Sequence, residues 1–131
     1  MKKIYVASRA SIPARGQMWR NLRDGGVPIT SSWIDESGEG ETNDFSDLWL
    51  RIEREVKDAE SLILYAETDD FPLKGAFIEV GMALAVGNPV YVVLPGVELE
   101  EKSMRPLGSW AHHPLVRRVD TVAKAIDDIN R

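Results

Sequence analysis

The chain has 131 residues, 28% charged and 44% hydrophobic, with 16 basic against 21 acidic side chains and a net charge of −5. That is enough for one domain with a buried core, and the acidity argues against a nucleic-acid polymer or an anionic membrane as partner. No cysteine is present, which excludes disulfides, thiolate metal sites and cysteine nucleophiles. No apolar run reaches the roughly 18 residues of a membrane span, and the run after Met1-Lys2-Lys3 is too short for a secretion signal, so a cytoplasmic protein is expected.

Residues 3–8 (KIYVAS) are β-branched or aromatic and read as a first, buried strand. A polar turn from Ser8 to Pro13 leads into a helix over Ala14–Arg23, closed by Gly25-Gly26. Val27–Trp33 (VPITSSW) reads as a second strand, placed at an edge by Pro28. Asp35–Asp47 is acidic and glycine-containing, either a solvated loop or a flap over a site. Ser46 or Asp47 can cap a helix to Ala59, whose stripe is Leu48, Ile52, Val56 and Ala59. Ser61–Ala66 (SLILYA) is a continuous apolar strand of the doubly buried kind.

After a loop at 67–74, a helix over Gly75–Val86 and a strand over Pro89–Leu94 follow. The stretch 96–113 reads as irregular, Val116–Val119 as a last strand, and Thr121 as the cap of a final amphipathic helix. Strands and helices alternate throughout, which predicts an α/β, flavodoxin-like three-layer sandwich with a five-stranded parallel sheet in the order 2-1-3-4-5. Residues 1–131 form one domain in this reading, with ligands expected beyond the carboxyl ends of the strands.

Glu79 stands out within the Gly75–Val86 helix, because its neighbours Ala76, Phe77, Ile78, Val80, Met82, Ala83 and Leu84 are apolar nearly all round. A carboxylate in such a helix needs hydrogen-bond partners or a shifted pKa. Proximity to the helix N-terminus is one reason for it, and chemistry is the other. Ser8, Arg9 and Ser11 put hydroxyls and a guanidinium at the end of the first strand, which suits a phosphate as well as a plain turn. Lys74 and Gly75 stand at the mouth of the Glu79 helix. Trp33 and Trp110 offer stacking surfaces, whereas Trp19 and Trp49 read as helix packing. His112 and His113 face apart and lack a third ligand, so no metal is expected. No phosphate-binding GxxxxGK, GxGxxG or GxSxG motif occurs.

The run GAFIEVGMALAVGNPVYVVL resembles the signature of the nucleoside 2-deoxyribosyltransferase superfamily, which includes 2′-deoxynucleoside 5′-phosphate N-hydrolases. Gly75, Glu79, Gly81, Ala83, Gly87, Pro89 and Val90 carry the match, with Asn88 where lysine is commoner. KIYVAS and AESLILYAE resemble the family's first strand and its Ala-Asp strand start, with Glu60 in the aspartate position.

The resemblance implies a flavodoxin-like fold, no cofactor, a homodimer or larger assembly, and a nucleoside or nucleotide substrate. It implies Glu79 as the nucleophile at C1′, with Tyr5 contacting the carboxylate or the sugar. Ser8, Arg9, Ser11, Trp33, Asp35, Lys74 and Gly75 complete the expected substrate site. The family's second acid would fall at Ile52, on the apolar stripe, while Glu53, Glu55 and Asp58 lie on faces expected to point outward. Asp35, Asp69 or Asp70 could substitute from a loop. The expected activity is N-glycosidic cleavage or transfer, hydrolysis of a nucleoside 5′-monophosphate ahead of base exchange. The alternatives are a nucleotide-binding module without catalysis and cleavage of a nicotinamide nucleotide.

Overall fold

The computed structural model describes residues 1–36 and 42–131. Its centre is a parallel sheet of four strands, β1 (Ile4–Ala7), β2 (Ser61–Tyr65), β3 (Val90–Val93) and β4 (Val116–Val119), in the order β1-β2-β3-β4. Tyr5 lies opposite Leu62, Leu62 opposite Val90, and Val90 opposite Val116. All of β1 and β3 are buried, which is why they read as unbroken apolar runs. In β4, by contrast, Arg117 and Arg118 are exposed, and charged side chains of this kind discourage further pairing at a sheet edge.

The five-stranded sheet in the order 2-1-3-4-5 is therefore corrected to four strands. The stretch expected as a second strand, Val27–Trp33, makes one isolated parallel bridge, Ile29 with Ile4. Its pairing consists of Ile4 N–H to the Pro28 carbonyl and Thr30 N–H to the Ile4 carbonyl, both 2.9 Å. The ladder then stops because a side chain takes over. Ser31 Oγ accepts the Val6 N–H at 2.8 Å, and the Trp33 indole N–H donates to the Val6 carbonyl at 2.8 Å. Backbone groups of β1 that a second strand would have paired are thus satisfied, and the chain turns into a 3-10 segment at Ser32–Asp35.

Four helices cover the sheet: α1 (Pro13–Asp24), α2 (Phe45–Asp58), α3 (Gly75–Ala85) and α4 (Val122–Ile129). α3 packs on β1, β2 and β3 and against α2, while α4 packs on β2, β3 and β4. α1 and α4 flank a shared groove. Asp44 rather than Ser46 or Asp47 caps α2, its carboxylate accepting the Asp47 N–H at 3.0 Å. Thr121 caps α4 through the Lys124 N–H, also at 3.0 Å. Asn88, where the resembled family commonly has lysine, donates its side-chain amide to the Ala59 carbonyl at 3.0 Å and so closes the end of α2.

Residues 37–41, in the middle of the acidic stretch read as a loop or flap, lie outside the described residues. No helix among the described residues is long and apolar enough to cross a membrane.

Candidate active site

A cleft of about 460 Å³ opens where β1 and β2 end at their carboxyl edge. One side is the turn after β1, with Ser8, Arg9, Ala10 and Ser11; another is the approach to α3, with Pro72, Leu73, Lys74, Gly75 and Ala76. The far wall comes from the segment after the Ile29 bridge, Trp33 and Glu36, and from α2 and its approach, Thr42, Phe45, Leu48, Trp49 and Ile52. Glu79 is the one α3 side chain beyond its first turn in this lining.

Glu79 begins the second turn of α3 and is only 6% exposed. The Tyr5 hydroxyl, on the fully buried centre of β1, donates a hydrogen bond to its Oε1. Tyr5 is not among the cleft-lining residues, so it meets the carboxyl from within the core. Burial raises the Glu79 pKa, the Tyr5 hydrogen bond opposes this, and the charge of Glu55 adds to it; the balance sits at about 8 against an ordinary 4.5. Tyr5 itself is pushed well above the usual phenol value, first by burial and then by the adjoining carboxylate.

Hydroxyls and cations gather on the β1 side. Ser8 is buried and its Oγ accepts the Trp19 indole N–H at 3.0 Å, which gives Trp19, fully buried, a polar partner. Arg9 donates from Nε to Ser11 Oγ and from Nη1 to the Asp70 carbonyl, both 3.2 Å. Lys74 is exposed at the head of α3.

Asp70, considered from sequence as a substitute acid, is 1% exposed and wholly engaged. It forms a two-pronged ion pair with Arg15, Nε to Oδ2 and Nη2 to Oδ1 at 2.9 Å each, and Oδ2 also accepts the Glu67 N–H at 2.9 Å. Burial alone would raise its pKa, but the Arg15 hydrogen bonds, the Glu67 N–H and nearby positive charge together hold it below the usual range. Arg15 lies over the Tyr65 ring, 5.3 Å from its centroid. This cluster braces the two loops beside the cleft, and Asp70 is absent from the lining.

The opposite wall is aromatic and aliphatic. Trp33 is 6% exposed and fixed by its bond to Val6. Trp49 lies over the start of α3, where a Cβ at Gly75 would sit 3.4 Å from two of its ring atoms. Ile52 is buried and lines the cleft in the position where the resembled family has an acid. Among the described residues, Glu36 is the other carboxylate of the lining, ion-paired to Arg51 Nη2 at 2.9 Å.

Of the residues expected at the site, Glu79, Ser8, Arg9, Ser11, Trp33, Lys74 and Gly75 line one cleft. Asp35 stands outside it, exposed and held by Arg23 at 2.7 and 2.9 Å, which lowers its pKa chiefly through those hydrogen bonds. Trp110 is also outside it, packed edge-on against Phe77 with centroids 5.4 Å apart. Sequence reasoning missed Glu36, Phe45 and the cleft-facing role of Trp49. The apolar stripe of α2 was the available signal, since Leu48 and Ile52 line the cleft as well as extending toward the core.

The fold and cleft define an α/β domain in which, among the described residues, one deeply buried carboxyl, that of Glu79, lines a cleft beyond the carboxyl ends of a parallel sheet. A CMP N-glycosidase of Clostridium botulinum, BcmB, has a similar fold: TM-score 0.55 and 12% identity over 99% of this chain and 100% of that one. At that identity the likeness is one of fold. No protein-family model and no curated protein matches the sequence.

Proposed function

We propose that this protein cleaves the N-glycosidic bond of a nucleoside 5′-monophosphate by hydrolysis, with Glu79 attacking C1′. The observation that carries the reading is the Glu79 carboxyl at the cleft floor, hydrogen-bonded through Oε1 to Tyr5. Breaking such a bond builds positive charge on the sugar, and a carboxylate aimed at C1′ captures or stabilises it. Tyr5 fixes one carboxyl oxygen, which leaves Oε2 for the sugar, and its hydrogen bond favours the ionised form. With a pKa of about 8, roughly one Glu79 in ten is ionised at neutral pH, so turnover rises with pH toward that value.

Ser8, Ser11, Arg9 and Lys74 supply donors and positive charge for a 5′-phosphate. Trp33 and Trp49 flank the base. The fold shared with a CMP N-glycosidase supports the same chemistry. Ile52 in the cleft wall favours a second reading, a nucleotide-binding module without turnover, because no acid stands at that position to protonate a leaving base.

The deciding experiment incubates the protein with nucleosides, their 5′-monophosphates and NAD and follows free base by chromatography. The enzyme reading predicts base release from a 5′-monophosphate by the wild type and none by Glu79→Gln. Release that survives in Glu79→Gln would remove Glu79 from the mechanism. No release from any compound, with nucleotide still raising the melting temperature, would leave the binding module. A second free base in the mixture reveals transfer if a new nucleoside forms.

A further inference from the structure

Trp19 lies on the buried face of α1 and is fully enclosed, yet its one polar atom reaches the cleft through a neighbour. Its indole N–H donates to Ser8 Oγ at 3.0 Å, and Ser8 lines the cleft. A buried indole needs an acceptor, but a backbone carbonyl suffices for that: Trp33 uses the carbonyl of Val6 and Trp110 that of Leu107. Trp19 instead engages a side chain whose own hydrogen-bond polarity it can set.

An indole N–H only donates, whereas a hydroxyl can donate once and accept twice. The Ser8 oxygen is therefore held as an acceptor toward the core, and its proton is left for another partner. Ser8 is 6% exposed, and the surface it keeps is on the cleft that it lines. The indole is itself fixed, because its ring meets Tyr65 edge-on at 6.4 Å and Arg15 covers the Tyr65 ring. A hydroxyl oriented in this way suits a ligand group that only accepts, as phosphate oxygens do when ionised.

Resting on the nucleotide reading above, we propose that Trp19 is a positioning residue: its indole N–H holds Ser8 Oγ as an acceptor and so aims the Ser8 hydroxyl proton into the cleft, at the 5′-phosphate. Trp19 touches no substrate in this account. Its effect passes through Ser8 alone, and it concerns the phosphate rather than the base or the sugar.

Titration calorimetry on the Glu79→Gln protein, with turnover blocked, supplies the test. It takes whichever of the four common ribonucleoside 5′-monophosphates binds most tightly, together with the matching nucleoside. Ser8→Ala is expected to weaken the nucleotide about tenfold and Trp19→Phe about fivefold, each leaving the nucleoside within about twofold. Because both changes remove the same oriented proton, the double variant should lose no more than about tenfold. Losses that multiply, or a Trp19→Phe loss shared equally by nucleoside and nucleotide, would reduce Trp19 to packing and leave the nucleotide reading standing. No binding of any 5′-monophosphate before these changes would overturn both. Where Trp19→Phe does not fold, the indole proton resonance of Trp19, identified by its shift in Ser8→Ala, carries the test. It should move downfield when the nucleotide binds and stay in place with the nucleoside; a resonance that ignores the nucleotide would overturn the positioning role.

Discussion

Replacing Glu79 by glutamine should flatten the pH dependence of this protein's stability, and by an amount the site fixes. Glutamine keeps the shape and can still accept the Tyr5 hydrogen bond, but it cannot ionise. In the wild type the folded-state pKa is about 8 against 4.5 for an ordinary glutamate. Between those values the folded protein holds a proton that the unfolded chain has lost. Stability is therefore fully present at low pH and falls as pH rises through the window. At 1.36 kcal/mol per unit the whole window costs roughly 4–5 kcal/mol, of which about 3 kcal/mol falls between about pH 5.5 and 8.

Urea unfolding of wild type and Glu79→Gln at matched ionic strength measures this as a difference, in which every other titrating group cancels. The variant should gain about 3 kcal/mol on the wild type across that range. A difference that stays constant to within about 0.5 kcal/mol would mean that the carboxyl is solvated and titrates normally, and the buried-nucleophile geometry would be wrong.

Three further outcomes follow from the same contacts. Tyr5→Phe removes the hydrogen bond that lowers the Glu79 pKa, so the rising limb of the pH–rate profile should move to higher pH and kcat at neutral pH should fall about tenfold; an unmoved limb would show that the phenol does not act on the carboxylate. Asp70→Ala leaves Arg15, whose side chain is 12% exposed, with only the longer 3.4 Å pairing to Glu67, and should destabilise by about 2 kcal/mol in thermal or urea unfolding; unchanged stability would contradict the bracing role. Leu50 on α2, Ile78 on α3 and Val86 just past the end of α3 are exposed, and sedimentation velocity is expected to give twice the mass of one chain, reduced to one by Ile78→Lys. A monomer at micromolar concentration would refute the homodimer that the family resemblance implies.

The stretch from α3 to β3 was legible in the sequence because each level agrees there. Gly75 opens the helix, Gly87-Asn88-Pro89 ends it, and a lone acid interrupts an otherwise apolar face. The second strand was not legible for a local reason. Val27 to Trp33 has strand composition, yet the Ser31 hydroxyl and Trp33 indole occupy the β1 backbone groups that a strand needs. Periodicity also hid half of the cleft. It marks which face of α2 is apolar but not whether that face meets core or ligand, so Ile52 and Trp49 read as packing. Glu36 lacked any pattern, since its place in the cleft depends on Arg51 fifteen residues later.

The central claim is that Glu79 itself bonds to C1′. A nucleoside 5′-monophosphate with fluorine at C2′ slows departure of the sugar from a carboxylate, and intact-protein and peptide mass spectrometry can then locate it. The expected result is one pentosyl-phosphate adduct per chain on the peptide containing Glu79, absent in Glu79→Gln. Base release from the same compound with no adduct, or with the adduct on another residue, would contradict it.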